Sequence, residues 1–338
     1  MPEISIIMPV YNSGEYLSET IDSVLQQSFS DFELIIVNDG STDNSAVILN
    51  GYAEKDDRIR IIDQGNAGPS HARNIGIEAS QGKMIFFMDS DDVIDRNMLK
   101  ECMENAQGFD MVICGVVKHY IGSDKADRHF CIPEQEIVTR DGLTEYLKHI
   151  IKNNDRGAFF NFIWNKIFSA DVIKNNNIRF DESISLGEDF IFISDFLKLS
   201  YKIKVVDGSY YQYNVRGRSS LVGRFVTNEL DRRKRIYSSM KSLYEHYSIY
   251  EECQDALEFN EGSYSWLVVR KINYPTCKLN RREKIQYIDG FLKDIRKDYM
   301  LKYLSTKKGS KSMMKRALIR MQNPTLLFFF ISSFGRKD

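Results

Sequence analysis

The chain has 338 residues, of which 43% are hydrophobic, and a formal net charge of -1. This size and composition can bury one large core or two modest ones, and a net charge near zero excludes a protein directed generally at nucleic acid. Its 5 cysteines are scattered and contain no Cys-x-x-Cys pair, and no basic leader with an apolar core opens the chain. These features predict a protein of the reducing cytoplasm that is not secreted.

The first 117 residues alternate between apolar strands and amphipathic helices. Strands are predicted at 4–10, 32–37, 59–62, 84–88 and 111–117, and helices at 17–25, 45–55, 68–82 and 96–106. Strands that are apolar on both faces belong in the middle of a parallel sheet covered by helices. The pattern therefore predicts an α/β fold with a doubly wound, mostly parallel, Rossmann-like sheet, in which ligands bind outside the carboxyl ends of the strands.

The remaining two thirds of the chain are less regular. Residues 118–160 are polar and mixed, without a clear period, and we expect them to be mobile and to face the substrate. Residues 227–304 have a mainly helical pattern. We predict a boundary near residue 225, with an α/β domain at 1–225 and a mainly helical C-terminal region at 226–338.

Three carboxylates follow the apolar segment 84–88 directly. Asp89 and Asp91 need a compensating partner, and a hard octahedral cation, Mg²⁺ or Mn²⁺, that also holds a nucleotide diphosphate fits their chemistry. Acidic turns after strands are also commonly solvated, but the position at the end of the fourth strand favours the metal. We interpret Asp92 as an N-cap or first-turn residue of the helix that follows.

Two further segments offer ligand contacts at strand ends. After the second strand, Gly40 permits a sharp turn and Ser41 or Asp43 can cap the next helix, whereas Asp39 can either cap or accept from a base imide or a ribose hydroxyl. Arg73 lies about one turn into the third helix. It can reach a base, a phosphate or Asp39, or it can be a structural salt-bridge partner.

Glu188 and Asp189 open a predicted amphipathic helix. The helix dipole favours acids in a first turn without any catalysis. If the ligand at the sheet is an activated sugar, however, the reaction needs one carboxylate that is not a metal ligand to take the proton of an acceptor hydroxyl. Both interpretations stay open on these residues alone.

Together these segments resemble the family 2 glycosyltransferases, an inverting class with the GT-A fold found in bacterial capsule, O-antigen, teichoic-acid and exopolysaccharide synthesis. The similarity covers about residues 3–215 and is carried by residues 5–12, 37–43, 72–74, 89–92, 164–166 and 188–189. The resemblance implies that 1–117 bind the nucleotide sugar and that 118–225 form the acceptor and catalytic half. The implied nucleotide-sugar ligands are Pro9, Val10, Tyr11, Asn12, Asp39, Arg73, Asp89 and Ser90.

The same resemblance implies the remaining roles. Asp89 and Asp91 would form the DxD pair, with Asp91 the direct ligand of Mn²⁺ or Mg²⁺, and Asp189 would be the catalytic base with Glu188 beside it. The expected reaction moves one sugar from a UDP-sugar to a hydroxyl of a glycan or lipid-linked saccharide, because the Gln-x-x-Arg-Trp motif and spanning helices of processive synthases are missing. The alternatives are a metal-dependent nucleotidyltransferase and an inactive, partner-binding subunit.

The end of the chain suggests a membrane contact. Residues 302–320 carry seven Lys and Arg and no acid, and the apolar segment 326–334 is well short of the roughly 20 residues of a spanning helix. One interpretation is a solvated helix followed by a segment that packs on the protein. The other is an interfacial anchor on anionic lipid, which would place a cytoplasmic enzyme on the inner face of the cytoplasmic membrane.

Overall fold

The computed structural model describes residues 1–122, 125, 127–130, 133–153, 162–184, 186–216 and 225–334. The strands are β1 Ile4–Val10, β2 Phe32–Asp39, β3 Ile59–Gln64, β4 Met84–Phe87, β5 Val93–Ile94, β6 Met111–Tyr120, β7 Arg128–Phe130, β8 Gln135–Ile137, β9 Lys166–Ser169 and β10 Ile203–Val215. The helices are α1 Leu17–Leu25, α2 Ser45–Ala53, α3 Pro69–Ala79, α4 Met98–Glu104, α5 Arg140–Lys152, α6 Ala170–Asn175, α7 Glu188–Leu197, α8 Glu229–His246, α9 Tyr250–Arg270, α10 Arg281–Lys293, α11 Arg296–Ser305, α12 Ser310–Arg320 and α13 Pro324–Phe334.

The sheet runs in the order β3-β2-β1-β4-β9-β6-β10-β5, with β7 paired to β6 and β8 to β10. The predicted strands β1 to β4 pair in parallel, and β6 pairs in parallel with β10. Of these, β1, β2 and β4 are buried apolar segments, as the sequence indicated, because helices cover them, whereas Ile59 alone is buried in the edge strand β3. The predicted α/β architecture is confirmed, and the polar residues that follow β1, β2 and β4 lie at one edge of the sheet.

Among the strands that the sequence did not predict, β9 and β10 are the two that lie beside the site. The short β9 lies between β4 and β6 and is antiparallel to both, and the 13-residue β10 pairs with β6, β5 and β8. β9 has four residues and begins with a buried lysine, so no apolar period marks it. Its insertion places residues 162–169 and 203–216 beside the acidic segment that follows β4.

Several predicted element boundaries change in the structure. The segment after Asp92 is not a helix: β5 follows at once, and α4 begins only at Met98. Within 118–153, where the sequence showed no period, β6 continues to Tyr120 and is followed by β7, β8 and α5. Residues 154–160 of that segment lie outside the described residues.

The chain divides into two compact units, one made of Met1–Leu147 and Asp155–Gly217 and the other of Lys148–Asn154 and Arg218–Asp338. The second unit contains α8 to α13 and has its own apolar core. At its centre the buried Glu261 accepts hydrogen bonds from two buried arginines, Arg233 and Arg296. Among the described residues, no helix is both long and apolar enough to cross a membrane.

Helices α9 and α11 cross at a glycine, which generates a test of this packing. A Cβ built on Gly262 would lie 1.9 Å from the Tyr299 carbonyl oxygen, a backbone atom that cannot rotate away. We expect Gly262→Ala to destabilise the second unit by about 1–3 kcal/mol, as overpacked cores do. Thermal and urea unfolding followed by circular dichroism measures the change.

Gly290→Ala in α10 is the matched control. Its Cβ would meet the Leu230 Cδ2 atom at 3.4 Å, an ordinary contact. Replacing glycine by alanine inside a helix then stabilises by roughly 0.5–1 kcal/mol. Equal unfolding transitions for the two variants would contradict the close approach of α9 and α11.

Candidate active site

A cleft of about 360 Å³ opens at the carboxyl ends of β1, β2 and β4. This is the edge at which ligands bind in doubly wound sheets. Of the residues predicted to bind the nucleotide sugar or a metal, the structure brings seven together here, and it adds three from the start of α3 and the loop before it. The lining residues are Pro9, Val10, Tyr11, Asp39, Asn66, Gly68, Pro69, Asp89, Ser90 and Asp91.

Asp39 has a structural function as well as a place in the cleft. Its carboxylate is buried and accepts hydrogen bonds from Gln64 Nε2 at 2.7 Å, Ala67 N at 2.7 Å and Gly68 N at 2.8 Å. These bonds fix the loop that leads from β3 to α3. A carboxylate has about four lone-pair positions, so a direct contact of Asp39 with the base or ribose stays a prediction.

Asn12 does not line the cleft. It has a left-handed backbone with φ 50°, which asparagine tolerates better than most residues. Its Oδ1 accepts from Thr42 N at 2.7 Å and Asp43 N at 3.3 Å, and its own N–H donates to Ser41 Oγ at 3.1 Å. These hydrogen bonds connect the segment after β1 to the loop after β2. Nucleotide binding by Asn12 stays a prediction.

The loop after β4 presents Asp89, Ser90 and Asp91 to the cleft. The Ser90 hydroxyl is 2.6 Å from Ser13 Oγ, which joins this loop to the end of β1. Burial and the neighbouring Asp89 charge raise the pKa of Asp91 to about 6, while Arg216, with Nη1 3.7 Å from Asp91 Oδ2, opposes that rise. The Arg216 guanidinium lies over the Tyr16 ring and donates to the Asp91 carbonyl.

The carboxylates of this loop fit a hard divalent cation. The Asp91 side chain is 48% exposed and lines the cleft, and its raised pKa means that a nearby positive charge would stabilise its ionised form. Within the described part of the chain, no group of three or more His, Cys, Asp or Glu could hold a metal by itself. A cation at Asp91 and Asp89 would therefore take its other ligands from a diphosphate and water, as Mg²⁺ commonly does.

Asp92 is not a helix cap, which corrects the interpretation from sequence. Its carboxylate is fully buried and accepts from the Tyr211 hydroxyl at 2.8 Å and from Asn214 N at 2.9 Å, both on β10. The same Tyr211 hydroxyl accepts from Asp89 N at 3.3 Å. Burial, followed by the charges of Asp89 and Asp91, raises the pKa of Asp92 well above its ordinary value. Asp92 therefore anchors the loop that carries Asp89 and Asp91 to β10.

Arg73 lies at the centre of the acidic residues and not among those that line the cleft. Its buried guanidinium donates to Asp89 Oδ1 at 2.9 Å, and its Nη1 is 3.6 Å from both Glu188 Oε1 and Asp189 Oδ1. Although burial favours the neutral form, the three carboxylates raise the pKa of Arg73. The structure favours the salt-bridge alternative, and no bond joins Arg73 to Asp39 among the described residues.

Glu188 and Asp189 form the first turn of α7, after Gly187 with φ 90°. Asp189 Oδ2 accepts from Ile163 N at 3.2 Å, whereas Asp189 Oδ1 and Glu188 Oε2 are buried without a hydrogen-bond partner among the described residues. Burial raises the pKa of Asp189 to about 7; Arg73 opposes this and Glu188 and Asp89 add to it. A carboxylate whose pKa lies near neutrality and whose Oδ1 accepts no hydrogen bond from a described residue fits a general base.

Sequence reasoning missed the aromatic and basic residues behind the acids. Trp164 stacks between neighbouring rings, with centroids 4.5 Å from Phe162 and 4.3 Å from Tyr211. Lys166 is fully buried, donates to Phe162 O at 2.6 Å, and has its pKa lowered by burial to about 7. Residues 164–166 belong to the family-like segments, but no local signal showed that Tyr211 of β10 would stack on Trp164.

The Arg73 interactions predict a pH-dependent loss of stability in Arg73→Gln. Leaving buried carboxylates without their cation should lower the free energy of unfolding by about 3–5 kcal/mol. Because Arg73 lowers the pKa of Asp189, its removal moves that pKa above about 7, and the loss of stability should be larger at pH 8 than at pH 5. Urea unfolding at the two pH values measures both effects.

Arg58→Gln is the matched control, because Arg58 pairs with Asp56 at 2.7 Å at a partly exposed site. Pairs of that kind contribute about 0–1 kcal/mol. A loss in Arg73→Gln that matched the control, or that did not change with pH, would contradict the central role of Arg73.

Comparison with known proteins agrees with this geometry. A model of the family described as Glycosyl transferase family 2 matches residues 5–174. The chain is 33% identical over 263 residues to the uncharacterized glycosyltransferase EpsJ of Bacillus subtilis (strain 168), covering 76% of this chain and 74% of EpsJ. It is 29% identical over 311 residues to the minor teichoic acid biosynthesis protein GgaA of the same strain, covering 86% of this chain and 65% of GgaA.

Among solved structures, that of S. aureus TarS 1-349 in complex with UDP is similar, with a TM-score of 0.66 and 21% identity over 100% of this chain and 92% of that chain. At this identity the likeness concerns the fold alone, and it confirms the GT-A fold predicted from the sequence. The family match covers half of the chain, and EpsJ is aligned over three quarters of it. The chain therefore belongs to glycosyl transferase family 2 and is a glycosyltransferase.

Proposed function

We propose that the protein transfers one sugar from a UDP-sugar to a hydroxyl of a glycan or lipid-linked saccharide, with inversion, in the synthesis of a cell-surface polysaccharide. The observation that carries this proposal is the position of Asp189. Arg73 connects this carboxylate to Asp89 at the cleft, yet Asp189 is not part of the pair assigned to a metal. The site thus offers separate groups for the donor and for the acceptor proton.

The donor binds in the cleft at the ends of β1, β2 and β4. Pro9, Val10 and Tyr11 supply mostly apolar contacts beside the Asp39 carboxylate, which suits a flat base and its ribose. TarS, which has the same fold, has been solved in complex with UDP and with UDP-GlcNAc. These complexes make UDP-GlcNAc the first donor to test.

The chemical step is a single in-line displacement at the anomeric carbon. Asp189 takes the proton of the acceptor hydroxyl while the bond to the diphosphate breaks, and the configuration inverts. Asp91 and Asp89 would hold the Mn²⁺ or Mg²⁺ ion, whose chemistry when bound is Lewis-acid stabilisation of the departing diphosphate. Arg73 keeps Asp189 in place and limits the rise of its pKa.

Two other functions compete with this proposal. A metal-dependent nucleotidyltransferase also uses paired aspartates, but the segment after β1, residues 11–16, contains one glycine and no Lys or Arg for a triphosphate. A partner-binding subunit without activity would not need the cleft, and its acids would be free to change. The presence of Asp39, Asp91 and Asp189 around one site favours an enzyme.

Two further parts of the proposal concern the acceptor and a contact with the membrane. The relation to GgaA suggests an acceptor in the cell envelope. In the C-terminal helix α13, Leu327 and Ile331 are buried in the core of the helical unit, while Leu326 and Phe329 are exposed. This segment therefore packs on its own unit through one face, and a peripheral contact with anionic lipid would use the other.

The decisive reaction test is the product released from the donor. Incubation of the protein with UDP-GlcNAc or other UDP-sugars, Mn²⁺ and a saccharide acceptor should release UDP, because a glycosyltransferase breaks the bond between the sugar and the diphosphate. Coupled assays for UDP and for pyrophosphate measure both products. Release of pyrophosphate would identify a nucleotidyltransferase, and no turnover with any nucleotide sugar would favour the inactive subunit.

Asp91→Asn tests the assignment of Asp91 as a metal ligand. It keeps the shape of the side chain but removes the charge, so turnover should fall by orders of magnitude. Asp63→Asn, beside Asn38 on the adjacent strand β3, removes a carboxylate outside the cleft and should leave turnover almost unchanged. Near wild-type activity of Asp91→Asn with Mn²⁺ would contradict the assignment.

The base assignment predicts both a variant and a pH profile. Asp189→Asn should abolish transfer and leave donor binding nearly intact, because the proton moves only in the chemical step. In the wild type, kcat/KM should rise with pH up to about 7 and then level off, since Asp189 acts when ionised. Steady-state kinetics and donor titration measure these effects.

Two variants of the same helix serve as controls. Glu188→Gln should reduce transfer less than Asp189→Asn, and Asp195→Asn, which removes a partly exposed carboxylate paired with Lys198, should have little effect. The reverse ranking of Glu188 and Asp189 would assign the base to Glu188. An α-linked product from an α-linked donor would exclude inversion.

A further inference from the structure

A second cavity lies within the helical unit. It has a volume of about 290 Å³ and is bounded by the end of α9, the end of α11 and the first half of α12. Trp266 and Tyr303 contribute its aromatic wall. The basic side chains that line it are Arg270, Lys307, Lys308, Lys311 and Lys315, and none of its described lining residues is acidic.

Three of the lining lysines differ from the neighbouring Lys302 in how their charge is compensated. Lys302 contacts Asp255 at 2.5 Å and Glu258 at 2.6 Å. In contrast, Lys307, Lys308 and Lys311 are exposed and form no ion pair with any described residue. Like charges around a concave surface repel one another and attract a counter-ion, so this cavity has the electrostatic character of an anion site.

The backbone at the start of α12 adds to the positive potential of this cavity. Helix α12 begins after Gly309 without a side-chain cap, and its first turn contains Lys311 and no acid. The N-terminus of a helix carries partial positive charge and exposes N–H donors, which a carboxylate in the first turn usually compensates. In α12 the first turn carries a lysine instead of a carboxylate, so a bound anion would reduce the repulsion between the helix N-terminus and the lysine side chains.

The aromatic side chains hold part of the basic wall in position. The Lys315 ammonium lies 5.3 Å from the Trp266 ring centroid, and that of Lys307 lies 5.1 Å from the Tyr303 ring centroid. Trp266 is buried, so it supplies a firm surface. The cavity thus combines exposed positive charges with an aromatic wall, which suits a phosphate group attached to a less polar moiety.

We propose that this cavity binds the phosphate group of an anionic ligand, either a phosphate ester or a diphosphate, at a site separate from the cleft of the α/β unit. Lys307, Lys308 and Lys311 contact the phosphate oxygens, and the N-terminal amides of α12 face the same group. The ring of Trp266 contacts the moiety that carries the phosphate. That moiety is a lipid or a soluble saccharide, and binding to vesicles distinguishes the two.

The probe is inorganic pyrophosphate, titrated into the full-length protein without a divalent metal and followed by tryptophan fluorescence. The chain has 2 tryptophans, so Trp266→Phe identifies the signal that comes from the cavity. The double variant Lys308→Gln/Lys311→Gln should weaken binding at the cavity roughly 30-fold, as expected for two lysines near a phosphate surface. Both side chains are exposed, and circular dichroism verifies that the fold is unchanged.

The matched control is Lys278→Gln/Lys293→Gln, which removes the same charge from the same unit away from the cavity. It should bind pyrophosphate as the wild type does. Equal affinities for the wild type and Lys308→Gln/Lys311→Gln, or a fluorescence change that persists in Trp266→Phe, would overturn the proposal.

Vesicles then identify the carrier of the phosphate. Sedimentation with phosphatidylcholine vesicles, with and without phosphatidic acid, is compared in the presence and absence of pyrophosphate. Binding to phosphatidic acid that pyrophosphate displaces places a lipid headgroup in the cavity, and pyrophosphate binding without vesicle binding assigns a soluble phosphate ester; either result supports the site. Vesicle binding that both double variants lose equally, and that pyrophosphate does not displace, would show diffuse surface charge and overturn it.

Discussion

The ion pairs of the Arg73 guanidinium are the interactions on which the candidate active site depends. It is buried and lies within 3.6 Å of carboxylate oxygens from Asp89, Glu188 and Asp189, which come from two segments about 100 residues apart in the chain. One cation among three acids leaves an excess of negative charge in a region that water reaches poorly. Burial, together with that excess, raises the pKa of Asp189 to about 7, and among the described residues Asp189 Oδ1 and Glu188 Oε2 have no hydrogen-bond partner. Such an excess of buried charge lowers stability, and it gives Asp189 a pKa that suits the proposed proton transfer.

The mixed part of the sheet makes this cluster possible. A purely parallel sheet would place another parallel strand next to β4, but here the antiparallel β9 occupies that position. Residues 162–166, which lead into β9, therefore lie against Asp189, where Ile163 N donates to its carboxylate. β10 completes the site from the other side, because Tyr211 and Asn214 bind Asp92 and hold the loop that presents Asp91. Pairing of strands that are distant in sequence thus fixes the acids.

Charged side chains of the helical unit are compensated in its interior but not on the surface that forms the second cavity. Inside it, Glu261 is surrounded by Arg233 and Arg296, so the buried charges are paired and hydrogen-bonded. At its surface, the basic residues of the α11–α12 connection converge on a cavity without any acid among the described lining residues. Buried charges need partners to be tolerated, whereas solvated lysines can remain close together at small cost. The first arrangement compensates the buried charge within the unit, and the second leaves a positive site available to a ligand.

The sequence determined the parallel half of the fold and the identity of the acids. Strands β1, β2 and β4 are apolar runs that end at or just before an asparagine or aspartate. A local pattern of this kind indicates both the strand and the point at which the chain turns. Because parallel strands end at one edge, the strand pattern alone is enough to place Asp39, Asp89 and Asp91 at a common cleft. The resemblance to a family identified Asp189 as the catalytic base. Its position in the first turn of a helix was not enough, because acids are also favoured there by the helix dipole alone.

Tertiary structure alone decided which partners these residues have. The sequence indicated that Asp92 caps a helix, but in the structure it binds Tyr211 of β10. Arg73 could have bound a ligand or formed a salt bridge, and its contacts with Glu188 and Asp189 are those of a salt bridge. The basic tail had no acid within its own sequence, yet α9 supplied Asp255 and Glu258 to Lys302 and left the following lysines around a cavity. A local pattern specifies which groups a segment offers. Their pairing, burial and pKa depend on segments far along the chain, and only the folded chain brings those segments together.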